Sequence, residues 1–154
     1  MMLCGSAEQI AKAAHEAQVD KAGVPYVEHP RRVTEWVQHL YADVHQDVID
    51  AAWLHDVLED TAVTVEYLRE AGITERTISC VAAVTKRPGE SIEDYFGRVV
   101  ANPDAVMVKH ADLADNTDPA RLAKLPVTMR DRLQRKYTRA FELLGVEAVH
   151  VSVD

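Results

Sequence analysis

The sequence predicts an all-α fold, a single compact helical bundle. Three observations carry this. Apolar residues recur at helical spacing along nearly the whole chain, alternating strand patterns are nearly absent, and the breaks between apolar stripes are short and carry capping residues, glycine or proline. With 154 residues the chain is one domain's worth, residues 1–154 with a core over about 7–145.

Each element follows from local signals. Ser6 is an N-cap for a first helix reaching about Lys21, with Ile10, Ala13, Ala14 and Ala17 on one side. Ala22, Gly23 and Pro25 end it, and GVPYVEHP reads as a loop. Pro30 is expected at the first position of a second helix, whose stripe is Val33, Trp36, Val37 and Leu40. A third helix is expected from about His45 to Glu59, apolar on Val48, Ile49, Ala52 and Trp53. Thr64 opens a short helix that closes at Gly72, and Thr74 opens another through Ile78, Val81, Ala82 and Thr85. KRPGE is a polar loop. Ser91 with Asp94 marks an N-terminus ahead of Ile92, Phe96, Val99 and Val100. Pro103 opens the next helix, and Pro126 opens a long last one, with Leu133, Tyr137, Phe141 and Leu144, that Gly145 terminates. The ending VEAVHVSVD reads equally as a short strand or a frayed tail.

Composition excludes several classes. Hydrophobic residues make up 47% and charged residues 27%, which is ordinary for a globular chain. The net charge of −8 repels nucleic-acid backbones, so no nucleic-acid partner is expected, and any phosphate site must be locally basic or metal-loaded. Cys4 and Cys80 form no CxxC pair, which fits a reducing cytoplasm. No apolar run reaches the length of a membrane span, and the N-terminal stretch lacks a signal-peptide core. The basic residues Arg130, Arg132, Arg135, Lys136 and Arg139 of the last helix read as a solvated face. His15, His39, His45 and His150 read as surface or structural, and His110 as either a donor to one of the metal-holding residues or a bystander.

The chemistry concentrates in three segments. In WLHDVLEDT, His55 and Asp56 are adjacent, and Glu59 follows them by four and three positions, which on a helix is the same face. Asp56 sits where an amphipathic helix would want leucine, and a core-facing carboxylate is costly unless paired or metal-bound. His29 before Pro30, and Asp112 in the apolar stretch VMVKHADLADN, complete a shell of two imidazoles and two carboxylates. Such a mixed set favours Mn²⁺, Fe²⁺, Co²⁺ or Zn²⁺. The metal would acidify bound water, and Glu59 with Asp60 would orient or deprotonate it. Asn116 lies one turn beyond Asp112. Lys86 and Arg87 in TKRPGE are expected either to face phosphates across the cleft or to form a solvated turn.

The runs HEAQVDKAGVPYVEHPRRV, AAWLHDVLEDT and VKHADLADN together resemble the HD superfamily. They are most similar to the small stand-alone relatives of the RelA/SpoT-type guanosine tetraphosphate 3′-pyrophosphohydrolases, over roughly residues 7–117. The resemblance implies His29, His55, Asp56 and Asp112 as metal ligands and Glu59 and Asp60 as the catalytic acidic pair. It also implies Lys21 and Asn116 as nucleotide contacts, Mn²⁺ as cofactor, and a small phosphorylated nucleotide as substrate. Departures fall in the nucleotide pocket: Asp20 stands where the family has arginine, Asp115 replaces a histidine, His110 a leucine and Pro119 a threonine. The alternatives are an HD-type nucleotidase or phosphatase on another small phosphoester, or a catalytically degenerate HD signalling module. The sequence leaves the oligomeric state open.

Overall fold

The computed structural model describes residues 6–20 and 22–149, all-helical apart from an isolated Val19–Pro25 bridge. Helix α1 (Ala7–Ala14) starts in a reciprocal capping box between Ser6 and Gln9. It ends well before Lys21, because His15, buried at 1% exposure, turns its ring onto Gln18 and the chain folds back so that Val19 bridges Pro25. Helix α2 (Glu28–Leu40) begins two residues before Pro30, so His29 lies inside its first turn. Proline is tolerated there, since the first backbone N–H groups of a helix have no intrahelical acceptor.

The expected third helix is two. Helix α3 (Gln46–Leu54) and the short α4 (Val57–Asp60) are separated at His55–Asp56. His55 Nδ1 takes the carbonyl of Ala52, and Asp56 becomes the residue before α4. Helices α5 (Val65–Glu70), α6 (Glu75–Val84), α7 (Ile92–Val100) and α8 (Pro103–Asn116) are capped by Thr64, Thr74, Ser91 and Asn102 through side-chain bonds to backbone N–H groups. A short α9 (Pro119–Leu122), unmarked by periodicity, precedes α10 (Val127–Leu144), which stops at Gly145 with φ 76°. Residues 146–149 form no strand, and 150–154, with His150, lie outside the described residues, as do Cys4 and Lys21.

Helix α2 packs mainly against α8 and α3, α3 also against α6 and α1, and α7 and α10 close the far side of α8. The core joins Val33 and Val37 of α2, Val48, Ala52 and Leu54 of α3, and Val108 and Ala111 of α8, all fully buried. Phe141 is buried as expected, whereas Trp36, Trp53 and Tyr137 are only partly covered. Cys80 is a buried free thiol. Among the described residues no helix is long and apolar enough to cross a membrane.

Candidate active site

The packing of α2, the α3–α4 junction and α8 brings four side chains to one point. His29 Nε2 lies 2.8 Å from Asp112 Oδ1 and 3.8 Å from Asp56 Oδ2. His55 Nε2 lies 3.0 Å from Asp56 Oδ2 and 3.3 Å from Asp112 Oδ1. Donor atoms cis to each other on a six-coordinate divalent ion, at about 2.1 Å from it, are about 3 Å apart. Three of the four separations are close to that spacing, and that from His29 to Asp56 is longer. His29, His55 and Asp112 in addition offer ligand atoms all within 4.8 Å of one another.

The break in the helix at His55–Asp56 is what lets two adjacent residues face the same point. The His55 Nδ1–H donates to the Ala52 carbonyl at 2.7 Å, which leaves the lone pair on Nε2. That Nε2 is buried and makes no hydrogen bond, with two carboxylate oxygens beside it. A buried imidazole lone pair ringed by carboxylates fits a divalent cation, because a cation satisfies the nitrogen and both charges together.

The local electrostatics have identifiable causes. Burial would lift the Asp112 carboxyl, but the Lys109 ammonium at 2.9 Å, the hydrogen bond with His29 and the nearby His55 ring outweigh it and hold it well below the usual range. Asp56 is lowered in the same way, burial being outweighed by His55. Burial opposes charge on both imidazoles, yet the facing carboxylates raise His29, and raise His55 further. Burial and the nearby Asp56 push the Tyr26 phenol far up, so it stays protonated and donates to Asp56 Oδ2 at 2.6 Å.

Two cavities meet here, sharing Asp56, Glu59, Lys109, Asp112 and Asn116. One, about 230 Å³, adds apolar and aromatic walls from Tyr95, Phe96 and Tyr137 with Lys86 and Lys136. The other, about 240 Å³, adds Asp20, Tyr26, His29, Asp60 and Arg121. Glu59 accepts the Lys86 backbone N–H at 2.9 Å. Asp60 is raised by burial and by its neighbours Asp56 and Glu59. Asn116 donates to Asp112 Oδ1 at 3.2 Å.

Of the residues singled out from sequence, His29, His55, Asp56, Asp112, Glu59, Asp60, Asn116 and Lys86 all line these cavities. Arg87 lines neither, its N–H held by Glu90 in a polar turn. Asp20 is not a bare charge: its Oδ1 accepts the N–H groups of Ala22 and Val24. The bond from Val24 leads in lowering its carboxyl. His110 makes no hydrogen bond to the cluster; its ring bridges Tyr41 and the Glu147 carbonyl.

Sequence reading missed Tyr26, Lys109 and Arg121, and named Asp115 only as a departure from the resemblance, not as a partner of His29. Asp115 Oδ2 lies 2.6 Å from His29 Nδ1, and its side chain is 2% exposed. Lys109 and Asp115 stand three residues either side of Asp112, on its face of α8, which was the available signal.

No family model matches the chain. It is 33% identical over 91% of its length to a guanosine-3′,5′-bis(diphosphate) 3′-pyrophosphohydrolase of Haemophilus influenzae, covering 22% of that protein. It is 36% identical over 71% of its length to the Aquifex aeolicus protein of the same name, covering 16%. With the bifunctional (p)ppGpp synthase/hydrolase SpoT of Escherichia coli it shares 26% over 94% of its length, covering 22%. The chain thus spans about a fifth of the length of these curated relatives. Among solved structures, a metazoan ortholog of SpoT described as hydrolyzing ppGpp matches with a TM-score of 0.74 at 22% identity, over 90% of this chain and 83% of that one. In sequence over most of its length and in its all-α fold, the chain is similar to the SpoT-type, HD-type hydrolases.

Proposed function

We propose that the chain is a metal-dependent phosphohydrolase that removes pyrophosphate from the 3′ position of guanosine tetraphosphate or a related 3′-phosphorylated nucleotide. The observation that carries this is the convergence of His29, His55, Asp56 and Asp112 on one point around an imidazole nitrogen that no hydrogen bond satisfies. The named relatives supply the substrate class.

Those four residues would hold the ion, Mn²⁺ foremost by the resemblance. When bound, such an ion acidifies water and neutralises phosphoryl charge. The chain's own groups do the rest. Tyr26 fixes Asp56, Asp115 fixes His29, and Asn116 with Lys109 fixes Asp112, so the ligand atoms are pre-set. Glu59, anchored through Oε1 by the Lys86 N–H, accepts the proton of the attacking water. Asp60, raised by its surroundings, holds a proton more readily and is the member of the pair suited to return one to the 3′ oxygen. Lys86 and Lys136 put positive charge in the first cavity, where a diphosphate fits better than beside Asp20 and Asp60. Asp20 in the wall of the second cavity, where the resemblance has arginine, favours a second reading, a phosphatase acting on another small phosphoester.

Product identity separates the two readings. With Mn²⁺, guanosine tetraphosphate should yield guanosine diphosphate and pyrophosphate, because attack at the phosphorus on the 3′ oxygen expels the sugar oxygen and keeps the two phosphates joined. Orthophosphate from a monoester, with no pyrophosphate from any 3′-diphosphate, would establish the second reading instead.

A further inference from the structure

Two arginines hold the buried Asp115 carboxylate, and they differ in what else they reach. Arg32 donates from Nε to Oδ1 at 2.8 Å and lines neither cavity. Arg121 donates from Nη1 to Oδ2 at 2.8 Å and to the Asp115 backbone carbonyl at 3.1 Å. Its side chain keeps 36% of its surface open and forms part of the second cavity's wall. Both bonds use one nitrogen, so the rest of the planar fork remains available, already oriented.

The charge around it gives that edge a purpose. Among the described residues, the second cavity is lined by Asp20, Asp56, Glu59, Asp60 and Asp112 against Lys109 and Arg121 as its lysine and arginine. The Lys109 ammonium is taken by Asp112. Among the described residues, Arg121 is therefore the more open cation of this cavity, its side chain 36% exposed against 20% for Lys109. A guanidinium clamped on one side by a carboxylate presents two parallel N–H groups to a pair of acceptor oxygens or nitrogens, with little entropy left to lose.

Building on the hydrolase reading above, we propose that Arg121 is a specificity-determining residue contacting an acceptor pair on the substrate, and that Asp115 positions both Arg121 and the imidazole of His29. The acceptor pair is either two oxygens of a phosphate or the O6/N7 edge of guanine. One carboxylate then couples the ion-holding histidine to the substrate-holding arginine.

The test uses the full chain with Arg121→Ala, Arg121→Lys, Arg32→Ala and Asp115→Asn. Calorimetry measures Mn²⁺ binding first, then, with Mn²⁺ present, the binding of guanosine diphosphate, adenosine diphosphate and inorganic pyrophosphate. KM and kcat are measured on guanosine tetraphosphate. Arg121→Ala should weaken ligand binding and raise KM by about tenfold or more, the weight of a hydrogen bond to a charged group, while Mn²⁺ affinity stays. Arg121→Lys should not rescue, because one ammonium cannot both pair with Asp115 and present a second edge. Arg32→Ala, which loosens Asp115 but removes no group from either cavity, should raise KM less than Arg121→Ala does. Asp115→Asn should weaken Mn²⁺ by about tenfold to a hundredfold and raise KM as well. Loss on all three ligands assigns the contact to phosphate, and loss confined to guanosine diphosphate assigns it to the base.

Turnover by the wild type with unchanged constants in Arg121→Ala, or equal effects from Arg32→Ala and Arg121→Ala, overturns the assignment of Arg121 and leaves the hydrolase reading standing. Unchanged Mn²⁺ affinity in Asp115→Asn overturns the positioning role. Failure of the wild type to bind any of the three ligands overturns both this inference and the proposed function.

Discussion

Helices α8 and α10 both carry many charged residues, and the two put charge to opposite uses. On α10 the arginines at 132, 135 and 139 are exposed, and only Ala140, Phe141 and Leu144 are buried. On α8, Asp112 and Asp115 are buried, and Lys109 is mostly covered. Charge on α10 remains hydrated, costs little and fixes no geometry. Charge on α8 loses its water and survives only by pairing, Asp112 with Lys109 and His29, Asp115 with His29, Arg32 and Arg121. A helix that keeps carboxylates in its core is held to one geometry by their partners, and that geometry is the site.

The comparison breaks most visibly at the ligands. Asp112→Ala leaves Lys109 buried without its partner, and should lower stability by about 3–5 kcal/mol in urea denaturation. Bound Mn²⁺ should fall with it, to about a tenth of wild type or less by elemental analysis, and His55→Ala should match that loss of metal. Equal metal in wild type and both variants would remove the ion from this point. A smaller effect, confined to rate, is expected from Glu59→Gln. Its amide cannot take a proton, so kcat should drop about a hundredfold or more while Mn²⁺ content and melting temperature hold. A near wild-type rate would make the acidic pair structural and favour a non-catalytic module. The smallest effect belongs to α10: Arg132→Ala and Arg135→Ala should each shift unfolding free energy by about 0.5 kcal/mol or less. A loss above 2 kcal/mol there would mean that α10's charges are paired as α8's are.

Much of the fold was legible because capping is local. Ser6, Thr64, Thr74, Ser91 and Gly145 signal helix ends through bonds to neighbours three or four residues away. The break at His55–Asp56 was not legible, since Asp56 interrupts the apolar stripe but no glycine or proline marks a helix end there, and only the approach of α2 and α8 makes the interruption worthwhile. The short α9 has too few residues for any period. In the site, histidine and aspartate at motif spacing stood out, whereas Tyr26, Asp115 and Arg121 look unremarkable in one dimension. Tyr26 meets Asp56 across 30 positions, and Asp115 meets His29 across 86. Asp20 shows the reverse: its identity was plain, but that it braces its own loop through Ala22 and Val24 emerges only from the folded chain.

The ligand set has a thermodynamic corollary. His29 lies on α2, the His55–Asp56 pair joins α3 to α4, and Asp112 lies on α8, so an ion held by all four clasps elements far apart in the chain. The unfolded chain cannot assemble that clasp, so an ion bound there would contribute to the folding equilibrium. At an ion concentration a hundred times its dissociation constant the contribution is about 2.7 kcal/mol. The same four side chains that would set the chemistry would thus make the durability of the folded chain a function of ion supply.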